Sequence, residues 1–492
     1  MFLANPPTPV QLCRTSLTNT LDQIRQQPEY QKAHWGILIQ TQENPPRTLY
    51  DHQSQRFFLP ASTIKLLTTA GAFVHLGGEH RLRTVFYQQG RQLHLVGQGD
   101  PTLTTVKLQQ LAQKISPKQR QTFDTVVIQT GYFQGPNFND QWEWQDILNT
   151  DMVPINNLIL NRNESQLQLV AQTPGKPARV FWSDPDAGRY WQIINTTRST
   201  TSPTQPVNIW IPPGLPQLHL RGDVTPQPLS FTVPILDTDQ YLIQTLTRLF
   251  PGKKVVLRRT VLPANLGTEV AAVASVPVAQ LVARINQASD NLYAEALLRH
   301  LGAVSNPRMP SDLAGIQVVQ KVLAGLGVSP GGVLQSDGSG LSRHNRVTPL
   351  ALVQMLQGMA VAHPSYANSL AVPGLPGTLR RRFTQTDIDL QAKTGTLSGV
   401  AALSGYLQPR NRPRLVFAIV INLSEQPAAS LRRGIDQMVM AVNDWAENSP
   451  PDQWGNCTQA AYGQGGSALL IPKYRSPYRG WLRPAMLVTF DL

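Results

Sequence analysis

The stretch IDLQAKTGTLSGVAALSGYLQPRNRPRLVFAIVINL, residues 388–423, decides the fold. It divides into three apolar runs, IDLQAKTGTLSG, VAALSGYLQP and RLVFAIVINL, with turns between them too short for a crossover helix. Three consecutive strands so joined form an antiparallel meander. On the first strand the two-residue period points Lys393 and Gly395 to one face and Thr394 to the other. Lys393 is a cation suited to a terminal carboxylate. Gly395, lacking a side chain, would let a ligand backbone approach the strand edge. The backbone N–H of Thr396 is a candidate oxyanion-hole donor.

Outward from the meander, residues 427–447 read as a closing helix, and residues 14–26 as an opening one with Leu17, Leu21 and Ile24 on one face. HWGILIQTQ (34–42) and RTLYDHQ (47–53) are strand-like and separated by the turn signal Asn44-Pro45-Pro46. Residues 61–76 form a helix with Ile64, Leu67, Ala70 and Val74 as its stripe and Gly77-Gly78 at its end. Helical periodicity returns in PVAQLVARINQA (277–288), NLYAEALLRHLGA (291–303) and DLAGIQVVQKVLAGLG (312–327), the last with Ser311 as N-cap. The glycine-rich loop SDGSGLSRHNR (336–346) then leads to a helix begun by Thr348-Pro349. Between about 84 and 271 the texture is different. Strand-like pieces alternate with Pro-, Thr- and Gln-rich turns, and one helix is expected near 238–250. This is a β-rich insertion.

Two further strings bear on chemistry. Ser62-Thr63-Ile64-Lys65 places a hydroxyl and an amine three apart, on one helical face, and no other lysine in the chain follows a serine at that spacing. A lysine serves as base only when neutral, which burial and a neighbouring cation favour. The helix N-terminus, with the Ser62 N–H, favours a developing oxyanion. Ser289-Asp290-Asn291 sits at a break between two helices, where a serine hydroxyl can relay a proton and the Asn amide can hold both Lys65 and a substrate carbonyl. Each string alone reads as a cap or a surface pair. In order, on helix, interhelical break and strand, they are the equipment of serine acyl transfer without a Ser-His-Asp triad.

Composition sets the limits. The chain has 492 residues, 41% hydrophobic and 15% charged, enough for two to four packed domains. The net charge of +13 comes mostly from 32 arginines against 11 lysines, without a lysine run or an aromatic RNA motif, so nucleic acid is not expected as a partner. Two cysteines, Cys13 and Cys457, are too few for a disulfide framework or a metal site. No stretch has the apolar length of a membrane span. The start, MFLANPPTPVQLCRTSLTNT, lacks the basic flank and apolar core of a secretory signal.

With these residues the chain resembles the class C low-molecular-mass penicillin-binding proteins, the D-alanyl-D-alanine carboxypeptidases and endopeptidases with a large insertion between the first two motifs. GQGDPTL (97–103), ASDNLYAEALL (288–298), DGSGLSRHNRVTP (337–349) and AKTGTLSGVAALSGYL (392–407) carry the resemblance beyond the three strings. Gly97-Gln98-Gly99 departs slightly from the glycine run expected there. The resemblance implies an α/β (α+β) fold, an antiparallel five-stranded sheet flanked by helices. It implies a catalytic domain over 1–84 and 272–448, an inserted β-rich domain over 85–271, and a tail, 449–492, of no assigned structure. It implies Ser62 as nucleophile, Lys65 as base, Ser289 and Asn291 as relay and anchor, and Lys393, Thr394, Gly395 and Thr396 around the substrate carboxylate and oxyanion. Arg343 would lie near the substrate's side-chain pocket, and Asp146 would contact the free amine of a stem peptide; a loop salt bridge and a solvated loop acid are their other readings. Partners would be peptidoglycan stem peptides and β-lactams, with no metal or cofactor. The site of action would be periplasmic or extracytoplasmic, which sets an incomplete or misplaced start against the missing signal. The basic charge leaves open a peripheral association with wall or membrane. Two other readings stay open: a β-lactamase or esterase on the same scaffold, with Glu164 the nearest candidate for deacylation, and a catalytically silent peptidoglycan binder.

Overall fold

The computed structural model describes residues 9–143, 152–212, 215–263, 265–451 and 454. The chain opens with α1 (Pro9–Arg25) and the strands β1 (His34–Thr41) and β2 (Thr48–His52), and a 3₁₀ turn (Ala61–Ile64) then runs directly into α2 (Lys65–Leu76). A long intervening segment carries β3 (Arg83–Gln89), β4 (Gln92–Gly97), α3 (Thr105–Gln113), α4 (Pro117–Arg120), β5 (Thr125–Gln129), β6 (Glu164–Val170) and β7 (Arg179–Trp182). It continues through α5 (Pro185–Gly188), β8 (Gln192–Ser199), β9 (Asn208–Trp210), β10 (Gln217–Val224), β11 (Leu229–Pro234), α6 (Thr238–Leu249), β12 (Lys254–Arg258) and β13 (Thr268–Ala274). Then follow α7 (Val278–Ala288), α8 (Asn291–Ser305), α9 (Ser311–Gly325), the short strands β14 (Val333–Leu334) and β15 (Arg346–Val347), and α10 (Pro349–Ala362). The meander β16 (Asp389–Leu397), β17 (Val400–Gln408) and β18 (Leu415–Asn422) and the helix α11 (Ala428–Asn448) complete the described elements.

The meander joins the N-terminal hairpin in one antiparallel sheet, ordered β16-β17-β18-β1-β2, with His34 opposite Asn422. Residues alternate between its two faces. Leu38, Ala402, Val416 and Val420 pack with Ile64, Leu67, Ala70 and Met355 in one core, while Ile37, Leu403, Phe417 and Ile419 pack with Leu21, Ile435 and Met438 in another. Coverage on both sides explains why β18 is apolar from Leu415 to Ile421 and buried at every position. At roughly 1.5–3 kcal/mol per fully buried large apolar side chain, this strand is a principal stabiliser. Among the described residues no helix is long and apolar enough to cross a membrane.

The intervening segment is more mixed than its turn-rich sequence suggests. One sheet, β12-β5-β4-β3-β13, combines antiparallel and parallel pairs, and the segment also holds two three-stranded sheets, β8-β10-β9 and β11-β6-β7. Parallel neighbours need long connections, so their pairing leaves no local turn signal. The helix α3 also escapes periodicity, because its nine residues bury only Leu108, Leu111 and Ala112; it is held by a Thr104 N-cap. Ser311 begins α9 after Pro310 but does not cap it, since its buried hydroxyl accepts the Gln134 N–H at 2.9 Å. Of the unassigned stretch 449–492, Trp454 is buried beside Trp445 and donates to the Ser449 carbonyl.

Candidate active site

Three elements meet at one cleft. The 3₁₀ turn brings residues three apart directly above one another, and Lys65 Nζ donates to Ser62 Oγ at 2.9 Å. Ser289, with φ 61° and ψ 38°, stands in the left-handed conformation that ends α7 and lets α8 start in a new direction. Asp290 caps α8 through the Tyr293 N–H, and its carboxylate also takes Arg162 at 2.9 Å and Arg284 at 3.2 Å. The first residue of α8, Asn291, then accepts Lys65 Nζ on Oδ1 at 2.6 Å. From β16, Lys393 Nζ donates to Ser289 Oγ at 2.9 Å and to the Thr394 carbonyl at 2.8 Å. Ser62, Ser289, Thr394 and Thr396 line a cleft of about 560 Å³.

The two lysines are fully buried. Burial, and after it the charge of Lys65, push the Lys393 ammonium well below its usual range. Lys393 therefore faces Ser289 inside the protein and is not an exposed cation on the strand. Gly395 also has a different purpose from the one its sequence suggests. A Cβ there would lie 2.7 Å from the Pro60 carbonyl oxygen and 3.2 Å from Ala61 Cβ, so the missing side chain admits the nucleophile turn itself. The open edge lies elsewhere. Ala392 exchanges both backbone bonds with Ala371 on the side of β16 away from β17, so by alternation the backbone groups of Thr394 and Thr396 face that same edge. Thr396, on that edge, lines the same cleft as Ser62.

Beneath the lysine lies the glycine-rich loop 336–346, in which the sequence singled out only Arg343 for a role. Lys65 Nζ donates to the Ser339 carbonyl, and Thr68 Oγ1 to that of Gly338 at 2.9 Å. Two buried carboxyl groups hold the loop from the other side. Glu295 Oε1 accepts the N–H groups of Gly338 and Ser339 at 2.9 and 2.8 Å, and Asp337 takes those of Gly340 and Ser342 at 2.7 and 2.6 Å. Trp142, from the intervening segment, adds its indole N–H to Asp337 at 3.1 Å. Glu295 follows Asn291 by four residues on α8, so the i, i+4 spacing was the one available signal.

Burial and then the neighbouring Asp337 charge push the Glu295 carboxyl up to about 8, only partly offset by its bond to Ser339 and the charges of Arg299 and Lys65. The folded state thus holds a proton that the unfolded chain releases near 4.5. Stability from this group is complete below that value and is lost as pH rises toward 8. Glu295→Gln keeps the accepting oxygen without the titration. Its melting temperature should fall less than the wild type's between pH 5 and pH 8, as calorimetry at stepped pH can check; parallel curves would refute the assignment.

Arg343 does not line the cleft. Its Nε pairs with Glu143 at 2.9 Å and its Nη1 donates to the Ser398 carbonyl at 3.4 Å, joining the intervening segment to the β16–β17 turn. Asp146 lies outside the described residues. Four arginines were not anticipated at all: Arg381, Arg382, Arg432 and Arg433 form the cleft wall with Asp436.

The family model described as the D-Ala-D-Ala carboxypeptidase 3 (S13) family matches residues 17–442. A D-alanyl-D-alanine carboxypeptidase of Actinomadura sp. is 28% identical over 474 residues, covering 89% of this chain and 86% of the relative. The penicillin-sensitive carboxypeptidase A of Dictyostelium discoideum is 27% identical over 466 residues, covering 85% and 88%. Among solved structures, penicillin binding protein 4 from Haemophilus influenzae superposes with a TM-score of 0.72 at 21% identity, covering 87% of this chain and 99% of that one, a likeness of fold.

Proposed function

The chain belongs to the D-Ala-D-Ala carboxypeptidase 3 (S13) family, and from that premise we propose a serine D-Ala-D-Ala carboxypeptidase whose acyl-enzyme forms on Ser62. The observation that carries the assignment of residues is the buried chain from Ser62 Oγ through Lys65 Nζ to Asn291 Oδ1, with Lys393 and Ser289 bonded beside it. Ser62 Oγ attacks the carbonyl of the penultimate D-alanine as Lys65 takes its proton. The N–H groups of Ser62 and Thr396 receive the oxyanion. Ser289, held by Lys393, gives its proton to the departing amine and is reprotonated by the proton Lys65 took. D-alanine leaves, and water, losing its proton to the freed Lys65, hydrolyses the ester and restores Ser62.

The same reading extends to penicillins as acylating inhibitors and to cross-linked stems as endopeptidase substrates, since both reactions break a bond after a D-alanine. It takes residues 1–84 and 272–448 as the catalytic domain and 85–271 as inserted, supported by the antiparallel pairing of β3 with β13 at the insertion's two ends. It takes peptidoglycan outside the cytoplasmic membrane as the substrate's location, with no nucleic-acid partner. Glu164 stands at the start of β6 against Arg162 and is not among the residues lining the cleft, which weighs against a class A type of deacylation.

Intact-mass spectrometry with benzylpenicillin, followed by peptide mapping, tests the reading. A long-lived adduct on the peptide containing Ser62, with D-alanine released from defined muropeptides, is the expected result. Rapid drug turnover would favour the β-lactamase, and no adduct the silent binder.

A further inference from the structure

The substrate's free carboxylate needs a cation, and Lys393 is poorly placed to supply it. Its Nζ is buried and already donates to Ser289 and to the Thr394 carbonyl. The cleft instead presents four guanidiniums against one carboxylate among its described lining residues. Two have partners of their own: Arg382 pairs with Asp436 and Arg433 donates to Ser430 Oγ at 2.7 Å. Arg381, Arg432 and Arg433 are exposed, and the Arg432 charge also acts on Asp436. Arg432, on the second turn of α11, differs from Arg381 in its contact with the strand, for its Nη2 donates to Thr396 Oγ1 at 3.3 Å.

Position matters because the carboxyl carbon lies only one residue beyond the carbonyl under attack, about 4 Å away. Thr396 is one residue from Gly395, which touches the backbone of the nucleophile turn. Thr396 and Arg432 line the same cleft as Ser62. A guanidinium is charged at every working pH and its planar fork matches a carboxylate.

We propose that Arg432, with the hydroxyls of Thr394 and Thr396, receives the free C-terminal carboxylate of the substrate, leaving Lys393 to hold Ser289. This makes Arg432 a specificity-determining residue for peptides ending in a free acid. The proposal rests on Ser62 being the nucleophile of this cleft.

The test compares an N-acylated tripeptide ending in D-Ala-D-Ala with the same peptide ending in D-alaninamide. In the wild type kcat/KM should favour the acid. Arg432→Gln should shrink that acid-to-amide ratio roughly 10- to 100-fold, Arg432→Lys should restore part of it, and Arg381→Gln should change it less than about threefold. An unchanged ratio in Arg432→Gln, or a larger collapse in Arg381→Gln, overturns the proposal. A wild type that does not favour the acid overturns it too. Because Arg432 is exposed, a melting curve suffices to show that the variant folds. Failure of the underlying reading has a different signature, since Ser62→Ala would then retain turnover of both peptides.

Discussion

Ser62→Ala is expected to abolish both D-alanine release and covalent capture of penicillin, and Lys65→Met to slow acylation by about 10³- to 10⁴-fold. The second change removes the group that receives the serine proton. It also takes a donor from Ser62 Oγ, Asn291 Oδ1 and the Ser339 carbonyl. Each lost bond costs about 1 kcal/mol, but the variant no longer has to desolvate a polar amine, so a net change within about 2 kcal/mol is expected. Activity and stability therefore separate. Rates of penicillin acylation measured beside melting curves check this: a folded Lys65→Met enzyme acylating within tenfold of the wild type would remove Lys65 from the proton's path.

Gly340→Ala should be nearly as damaging without touching a reacting group. Gly340 has φ +87°, and a Cβ there would lie 2.1 Å from the Ala61 carbonyl oxygen and 2.9 Å from Ile64 Cγ2. The conformation costs a side chain about 1–3 kcal/mol. Relieving the overlap moves either the turn that carries Ser62 or the loop whose Ser339 carbonyl holds Lys65, and a displacement near 1 Å of either costs about 100-fold in rate. Loss of about 2–4 kcal/mol in stability and about 100-fold in acylation is expected. Gly374→Ala is the comparison: its φ is +77° but nothing lies within 4 Å of the added carbon. It should show the strain without the loss of rate, and equal rate losses in the two variants would remove the steric argument.

The chemistry was more legible in the sequence than its support. Ser62 and Lys65 share a helical face and so announce each other, and the meander follows from its short turns. The closing of the sheet does not: β18 pairs with β1 across most of the chain, and no local period records a long-range partner. The same limit hid what holds Lys65. Its third acceptor is a backbone carbonyl, that of Ser339, which any residue could supply. Lys393 and Gly395 were visible as residue types, but their directions depend on the neighbours that fill the space around them. The arginine wall is assembled from residues 381–382 and 432–433, which in sequence are ordinary surface charges.

The pairing of His34 with Asn422 also bears on how the molecule comes into being. A ribosome adding 5–20 residues per second needs roughly 20–80 s to pass from one to the other. For most of that interval the serine has been made, but the strand edge it must face has not. Contacts so distant along the chain make folding slow. Until β16 to β18 and the start of α11 have been made the nascent chain has no complete cleft, so its hydrolytic power comes only late in synthesis.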